Sequence, residues 1–327
     1  MTPPSPGEIR FVVSPGATAT LAAHVRVALT CSWNRARELA ATGRVLVNGE
    51  AERDAASRPP GGSEIVIRPE APRQKRAMLS EDRVAHLDAD VMVVRKPAGL
   101  LSVPWDENDK DTLADQARVL LGRLARRADK GRPKKGRSAR DPMVGVVQRL
   151  DKDTTGLLVF ARNMPAKRHL EEQLRARTVH RRYVALVHGT LTEARRIETL
   201  LIQDRGDGLR GSYGVFRRPR PGPPPSDAKP SITHVRPLRQ LAGATLVECR
   251  LETGRQHQIR IHLAEAGHML VGEPVYLREH AGEKIAAPRP MLHAAELGFV
   301  HPRTEEEVRF REPPPPDFEA VLQRLGL

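Results

Sequence analysis

Residues 147–160 read VQRLDKDTTGLLVF, with an arginine, two aspartates and two threonines ahead of four successive apolar residues, Leu157 to Phe160. A short apolar run bounded by turn residues reads as a strand buried on both faces, and so as a central strand of a sheet. The polar residues in front of it form the loop that enters the strand. Two carboxylates and a guanidinium at the mouth of a buried strand mark a candidate site. Asp151 and Asp153 form a D-x-D, which can hold Mg²⁺ for phosphoryl transfer. The chain contains no G-x-x-x-x-G-K-[ST] phosphate loop to accompany it, and a turn-forming role is the plainer reading of both acids.

Working outward, HRRYVALVHG predicts a strand over Tyr183 to Val187 that ends at Gly189, and a second strand runs from Ala244 to Leu251. Thr253 followed by Gln256 fits a capping box, so a helix is expected to begin beside Gly254 and Arg255. A helix start carrying an arginine is a seat for an anion. Upstream, DVMVVRKPAGLLSVP reads as a strand broken into a shaped loop by Pro97, Gly99 and Pro104. DTLADQARVLLGRLARRA follows as an amphipathic helix capped by Asp111. The chain closes with PPPPDFEAVLQRL, a docked helix capped by Asp317. Two stretches fall outside the packed pattern: the basic, Gly/Pro-broken run DKGRPKKGRSARDP and the insertion from Arg217 to Pro230. His257, His262 and His268 are spaced by five and six, which does not stack them on one helical face, so no metal site is expected.

Residues 9–69 form a separate α+β pattern. ATATLAAHVRVAL suits a first helix, and Ser32 caps a second, WNRARELAAT, with Gly43 in the C′ position. RVLVNGEAERD turns at Asn48-Gly49, a strong hairpin signal, and SEIVIRP supplies another strand. Residues 70–82 read as a linker to a larger domain over 83–327.

Across 327 residues, 54 Lys plus Arg stand against 40 Asp plus Glu, giving +14 and a pI near 10.5. That balance favours a polyanionic partner such as nucleic acid. Cys31 and Cys249 have no CxxC partner, which excludes a zinc ribbon or disulfide framework and suits a reducing cytoplasm. No run approaches the ~18 apolar residues of a membrane span.

These segments resemble known families. Residues 9–69, through SWNRARELAATGRVLVNGE, resemble the S4 RNA-binding domain, and the resemblance implies phosphate contacts by Arg35, Arg37 and Arg44. From Arg83 to Pro302 the chain resembles the RluA-type pseudouridine synthases, on KPAGLLSVP, RLDKDTTGLLVFARN, RRYVALVHG, LETGRQHQIRIHLAEAGHMLVGEPVY and MLHAAELGFVHP, in that order. The fold so implied is α+β, a mixed and largely antiparallel catalytic domain behind a small α+β S4-like domain. The activity so implied is isomerisation of uridine within RNA, ribosomal RNA being favoured over transfer RNA, with no cofactor and no catalytic metal. Asp151 matches the essential aspartate, which acts covalently on ribose C1′ or uracil C6, or stabilises charge at the sugar. Arg149 matches the arginine that enters the stack vacated by the flipped base. Tyr183 matches the active-site tyrosine, and Arg255 the basic residue that pairs with the aspartate. Gln148 departs from the family's histidine; it keeps a hydrogen-bond donor but cannot titrate near neutrality. The competing readings are a non-catalytic RNA-binding assembly factor with the same fold and a D-x-D metal enzyme acting on phosphate esters. A monomer is the default.

Overall fold

The computed structural model describes residues 7–71, 78–105, 109, 111–128, 142–215, 223–277 and 282–326. The chain falls into two units, Met1–Met78 and Leu79–Leu327. Most of the basic run after residue 128, part of the second insertion, and residues 72–77 of the expected linker lie outside the described residues.

The first unit runs β1 (Ile9–Val12), α1 (Leu21–Leu29), α2 (Trp33–Ala41), β2 (Val45–Val47), β3 (Glu50–Ala51) and β4 (Glu64–Ile67), with sheet order β1-β4-β2-β3. Its local signals act as the sequence predicts. Ser32 Oγ accepts from Arg35 N at 3.2 Å, and Gly43 takes a φ of 71° just past α2. Asn48 and Gly49 both have positive φ, 51° and 86°, which is the type I′ geometry that Asn-Gly favours. β1 is an element that the helix, helix, hairpin pattern omits. It pairs antiparallel with β4, and Leu21, Val25, Leu39, Ile65 and Ile67 close the core behind the sheet.

The second unit is built on one large sheet. Its elements are β5 (Val84–Leu87), β6 (Val91–Lys96), α3 (Leu113–Ala128), β7 (Gly145–Val146), β8 (Thr155–Ala161), α4 (Met164–Arg175), β9 (His180–His188), β10 (Arg195–Ile202), β11 (Gly211–Ser212), β12 (Lys229–Leu241), β13 (Ala244–Leu251), α5 (Gln258–Glu265), β14 (Leu292–Val300), β15 (Glu307–Arg311) and α6 (Pro316–Gly326). The strand order is β11-β10-β12-β13-β9-β14-β8-β6-β5, with β15 added to β14 and β7 to β8. Of the strand pairs described, β14 with β8 alone is parallel, so the sheet is mixed and largely antiparallel.

β8, the apolar run of residues 155–161, is buried at every position and lies between β14 and β6. Gly156 makes that position possible. Its φ is +112°, and a Cβ there would stand 2.2 Å from Ala294 O on β14. Only glycine lets the two backbones approach so closely at the base of the loop.

Three helix starts differ from expectation. α3 is capped by Thr112: Thr112 Oγ1 accepts from Asp115 N at 3.4 Å, and Thr112 N donates back to Asp115 Oδ2 at 3.1 Å. Asp111 instead takes a left-handed turn, φ 62°. α6 begins at Pro316, so Asp317 lies inside the first turn, and its carboxylate accepts a fork from Arg289 at 2.6 and 3.0 Å. α5 begins at Gln258, four residues later than a start beside Gly254. The switch is His257, held at φ 57°. The Thr253 hydroxyl is used across the fold, accepting from Ile232 N on β12 at 2.8 Å and donating to Gln258 Oε1 at 2.9 Å.

Candidate active site

The loop over residues 150–154 is fastened on every side. Its first residue, Leu150, exchanges two hydrogen bonds with the buried Ser102: Leu150 N donates to Oγ at 3.0 Å and Oγ donates to Leu150 O at 2.7 Å. Lys96, 1% exposed at the end of β6, donates its ammonium hydrogens to the carbonyls of Lys152 (2.6 Å), Thr154 (2.9 Å) and Pro97 (3.0 Å). Arg289 Nη1 reaches Asp153 O at 3.2 Å, and Thr154 N closes the turn on Asp151 O at 3.1 Å. Thr155 Oγ1 meets His293 Nδ1 at 2.9 Å. Burial pulls the Lys96 ammonium down to about 7, with Asp153 and Asp151 acting in the opposite direction. The three carbonyls use all the donors of a charged lysine, so the charged form is the one that fits this geometry.

A cavity of about 580 Å³ opens above this loop. Asp151 lines it from the loop, Gln148 and Arg149 from the residues just before the loop, Tyr183 from β9, and Arg255 from the turn before α5. The volume lies in the range of small-molecule and nucleotide sites. Four residues singled out from the sequence, Asp151, Tyr183, Arg149 and Arg255, therefore border one space.

The cation against Asp151 is not Arg255. Arg260 Nη1 stands 3.8 Å from Asp151 Oδ2. Arg255 is exposed, and its Nε donates to Pro230 O at 3.2 Å. The difference follows from where α5 begins: the left-handed residue at 257 leaves Arg255 in the turn and puts Arg260 on the first helical turn, facing inward. Arg260 is itself anchored by a bidentate fork to Glu273, 2.9 and 2.6 Å, a carboxylate whose side chain is wholly buried. Although burial works against its charge, that fork holds the Arg260 guanidinium above its usual pKa. The guanidinium also lies 5.4 Å from the ring centre of Tyr276, whose hydroxyl meets His257 Nδ1 at 2.8 Å.

Tyr183 is 7% exposed, and burial raises its hydroxyl above the ordinary phenol range. At neutral pH the group is a protonated phenol, suited to packing and hydrogen bonding. Arg149, exposed at the rim, lies 5.9 Å from the ring centre of Trp105, a residue 62% exposed in the loop after β6. Exposed Arg175 and Arg177 add positive charge along the same rim.

The three histidines have separate partners. His257 meets Tyr276, His262 lies between Thr199 and Thr233 at 2.9 Å each, and His268 Nδ1 donates to His188 O at 3.1 Å. Elsewhere His86, Asp88 and His301 come together. His301 Nδ1 accepts from the backbone of Arg303 and Thr304, which leaves the proton on Nε2, donated to Asp88. That tautomer suits a hydrogen-bonded staple at the β5–β6 turn. In the first unit, Arg35 pairs with Glu38 at 3.0 Å, Arg37 lies 6.0 Å from the Trp33 ring centre, and Arg44 Nε donates to Ala71 O at 2.7 Å.

Known proteins resemble this chain in sequence and in fold. Residues 90–265, more than half of the chain, match the sequence model described as RNA pseudouridylate synthase. The ribosomal large subunit pseudouridine synthase D of Neisseria meningitidis is 35% identical over 82% of this chain and 68% of its own length. The uncharacterised RNA pseudouridine synthase YlyB of Bacillus subtilis is 34% identical over 90% of each chain. Among solved structures, human RNA pseudouridylate synthase domain containing 4 superposes with a TM-score of 0.56 at 22% identity, covering 75% of this chain and 93% of that one. That last likeness is one of fold, and it agrees with the mixed sheet around β8. By sequence over most of its length, the chain belongs to the RNA pseudouridylate synthase family.

Proposed function

We propose that this enzyme isomerises uridine in large-subunit ribosomal RNA, with Asp151 as the reacting carboxylate, Arg260 as its charged partner and Tyr183 packed on the flipped uracil. The observation that supports the reading best is the convergence of Asp151, Tyr183 and Arg149 on one cavity above a loop whose carbonyls are held from Leu150 to Thr154. The choice of ribosomal over transfer RNA rests on the names of relatives such as the Neisseria meningitidis protein. Arg149 fills the gap left by the base, which offsets the few kcal/mol that flipping costs. Arg255, exposed at the rim, takes a backbone phosphate. The first unit acts as an S4-like RNA-binding domain through Arg35, Arg37 and Arg44, and the protein works as a cytoplasmic monomer without a cofactor.

The chemistry needs no net exchange of atoms. The N1–C1′ bond breaks, the uracil turns, C5–C1′ forms, and the C5 proton is lost while N1 gains one. A protonated, buried Tyr183 steadies the ring through that turn. The test is to incubate the protein with unmodified bacterial RNA in EDTA and map pseudouridine by derivatisation and reverse-transcription stops. New sites in large-subunit RNA are expected, lost in Asp151→Asn and kept in Asp153→Asn. No new site, activity that disappears only on chelation, or dependence on Asp153 instead of Asp151 would each overturn the reading.

A further inference from the structure

Arg181, two residues before Tyr183 on β9, is 7% exposed and lines the cavity. Among the described residues no acidic side chain pairs with it. Its Nη2 donates to two carbonyls, Glu252 O at 3.0 Å and Leu251 O at 3.4 Å, and its buried Nε has no partner. Buried guanidinium groups are ordinarily paired, because an uncompensated charge away from water is expensive. The neighbouring arginines show the contrast. Arg260 is buried but forked to Glu273, whereas Arg149, Arg175, Arg177 and Arg255 stand exposed at the rim.

The setting identifies what the free side of Arg181 faces. The phenol of Tyr183 feels its positive charge, and burial lowers the guanidinium from its usual value without discharging it. Gly254 forms the adjoining wall; a Cβ there would come within 2.7 Å of Arg181 Nη1, so glycine leaves the guanidinium its room. Arg255 at the rim is near enough to oppose its charge. In the proposed complex the phosphates stay near solvent with the exposed rim arginines, and the flipped base is the part of the RNA that reaches a side chain this buried.

We propose that Arg181 is a further catalytic residue, a preplaced cation that hydrogen-bonds a uracil carbonyl and stabilises the negative charge that the ring acquires as it leaves the sugar. When N1–C1′ breaks heterolytically, the bonding pair departs with the uracil and is shared among N1, O2 and O4. The electron-poor C1′ is meanwhile held by the Asp151 carboxylate; the charge on the ring is discharged when the pair of electrons at C5 closes on C1′, after which the C5 proton leaves and N1 takes one up. A donor aimed at developing charge in a water-poor cavity is the most effective kind of electrostatic catalyst, and removing one typically costs 10²–10³ in rate.

The inference rests on the uridine chemistry proposed above, and its test separates the two. Arg181→Met and Arg181→Lys would be compared with wild type in single-turnover reactions on unmodified large-subunit ribosomal RNA transcripts carrying uridine or 5-fluorouridine. Fluorine makes uracil a more stable anion, so the ring depends less on an external cation. Arg181→Met is expected to consume uridine about a hundredfold more slowly, with unchanged RNA affinity and a clearly smaller deficit on 5-fluorouridine; Arg181→Lys should recover part of the rate. Equal deficits on both substrates, or weakened affinity with an unchanged rate, would overturn the proposal, the latter pointing to a phosphate contact. A second arm needs no turnover: deleting an uncompensated buried charge should leave the melting temperature level or higher, and a marked fall would mean a structural residue. If wild type leaves the transcript unmodified, the ribosomal reading fails, and the melting arm still decides against or for Arg181.

Discussion

At the scale of single residues, the proposed function separates the site into groups that would meet the RNA and groups that hold those in place. Arg255 and Arg260 are five apart in sequence and have opposite circumstances. Replacing Arg260 by Gln strips Glu273, fully buried, of its partner. Breaking a buried pair in that way costs about 3–5 kcal/mol, so denaturant titration should show a large loss together with a fall in kcat. Arg260→Lys should rescue little, since an ammonium cannot make the bidentate fork. Arg255→Gln should change stability by less than about 0.5 kcal/mol and raise KM instead. If the two variants exchanged phenotypes, Arg255 would be the partner of Asp151 after all. The family resemblance, carried residue by residue, put Asp151, Tyr183 and Arg149 at one site, and all three line the same cavity. It gave the pairing with Asp151 to Arg255, whereas Arg260 stands against that carboxylate, because the inward register of α5 is set by one left-handed residue, His257, and a single histidine is a weak signal for that conformation. Lys96 and Ser102, which stand in the KPAGLLSVP motif, were given no role for a related reason. Apart from Pro97 O, their partners are backbone carbonyls and an amide 48 to 58 residues away, and any sequence offers those.

At the scale of elements, local chemistry was readable wherever the element carries its own signal. Ser32, Gly43 and Asn48-Gly49 delimit α2 and the hairpin by their intrinsic preferences, and β13 spans Ala244–Leu251 as the apolar pattern indicates. β1 and α4 were not foreseen. α4 carries a signal all the same: Asn163 Oδ1 accepts from Ala166 N at 2.8 Å, with a proline in the first turn. The β8–β14 contact depends on partners across the fold, and it gives a sharp prediction. Gly156→Ala must relieve a Cβ 2.2 Å from Ala294 O in a backbone conformation that L-residues avoid. A loss of about 2–4 kcal/mol is expected, with kcat reduced as the loop bearing Asp151 shifts; wild-type stability by chemical denaturation would contradict that close approach. The join of α5 to β10 and β12 is pH-sensitive. His262 is wholly buried between Thr199 and Thr233, and burial pushes it down to about 4. Its folded pKa lies below the unfolded value, so the folded state declines a proton that the unfolded state accepts. Its share of stability is complete above about pH 6.5 and is lost as pH falls toward 4, amounting to about 3 kcal/mol at the acid end. Urea midpoints measured from pH 7 to 4.5 should fall less steeply in His262→Gln than in wild type. Parallel curves would mean that His262 does not titrate differently on folding.

At the scale of the whole molecule, the division of labour between the two units is open to one measurement. The +14 charge favours a salt-dependent affinity for RNA without saying which unit carries it. In the first unit, exposed Arg35 pairs with Glu38 on the surface, and exposed Arg37 lies by Trp33; both can exchange such weak partners for phosphate. Arg44 is more firmly tied to Ala71 O, so it contributes through position more than through free charge. The catalytic unit keeps its own rim of Arg149, Arg175, Arg177 and Arg255. Removing residues up to Pro69 should therefore leave isomerisation intact at low salt while weakening binding as salt rises. The slope of log affinity against log salt should drop by about 2, since each phosphate contact contributes about 0.7–0.9. An unchanged slope would place all phosphate contacts in the catalytic unit and remove the case for the first unit as an RNA-binding domain. Loss of turnover at low salt, where affinity is ample, would instead show that the first unit helps to shape the reacting site.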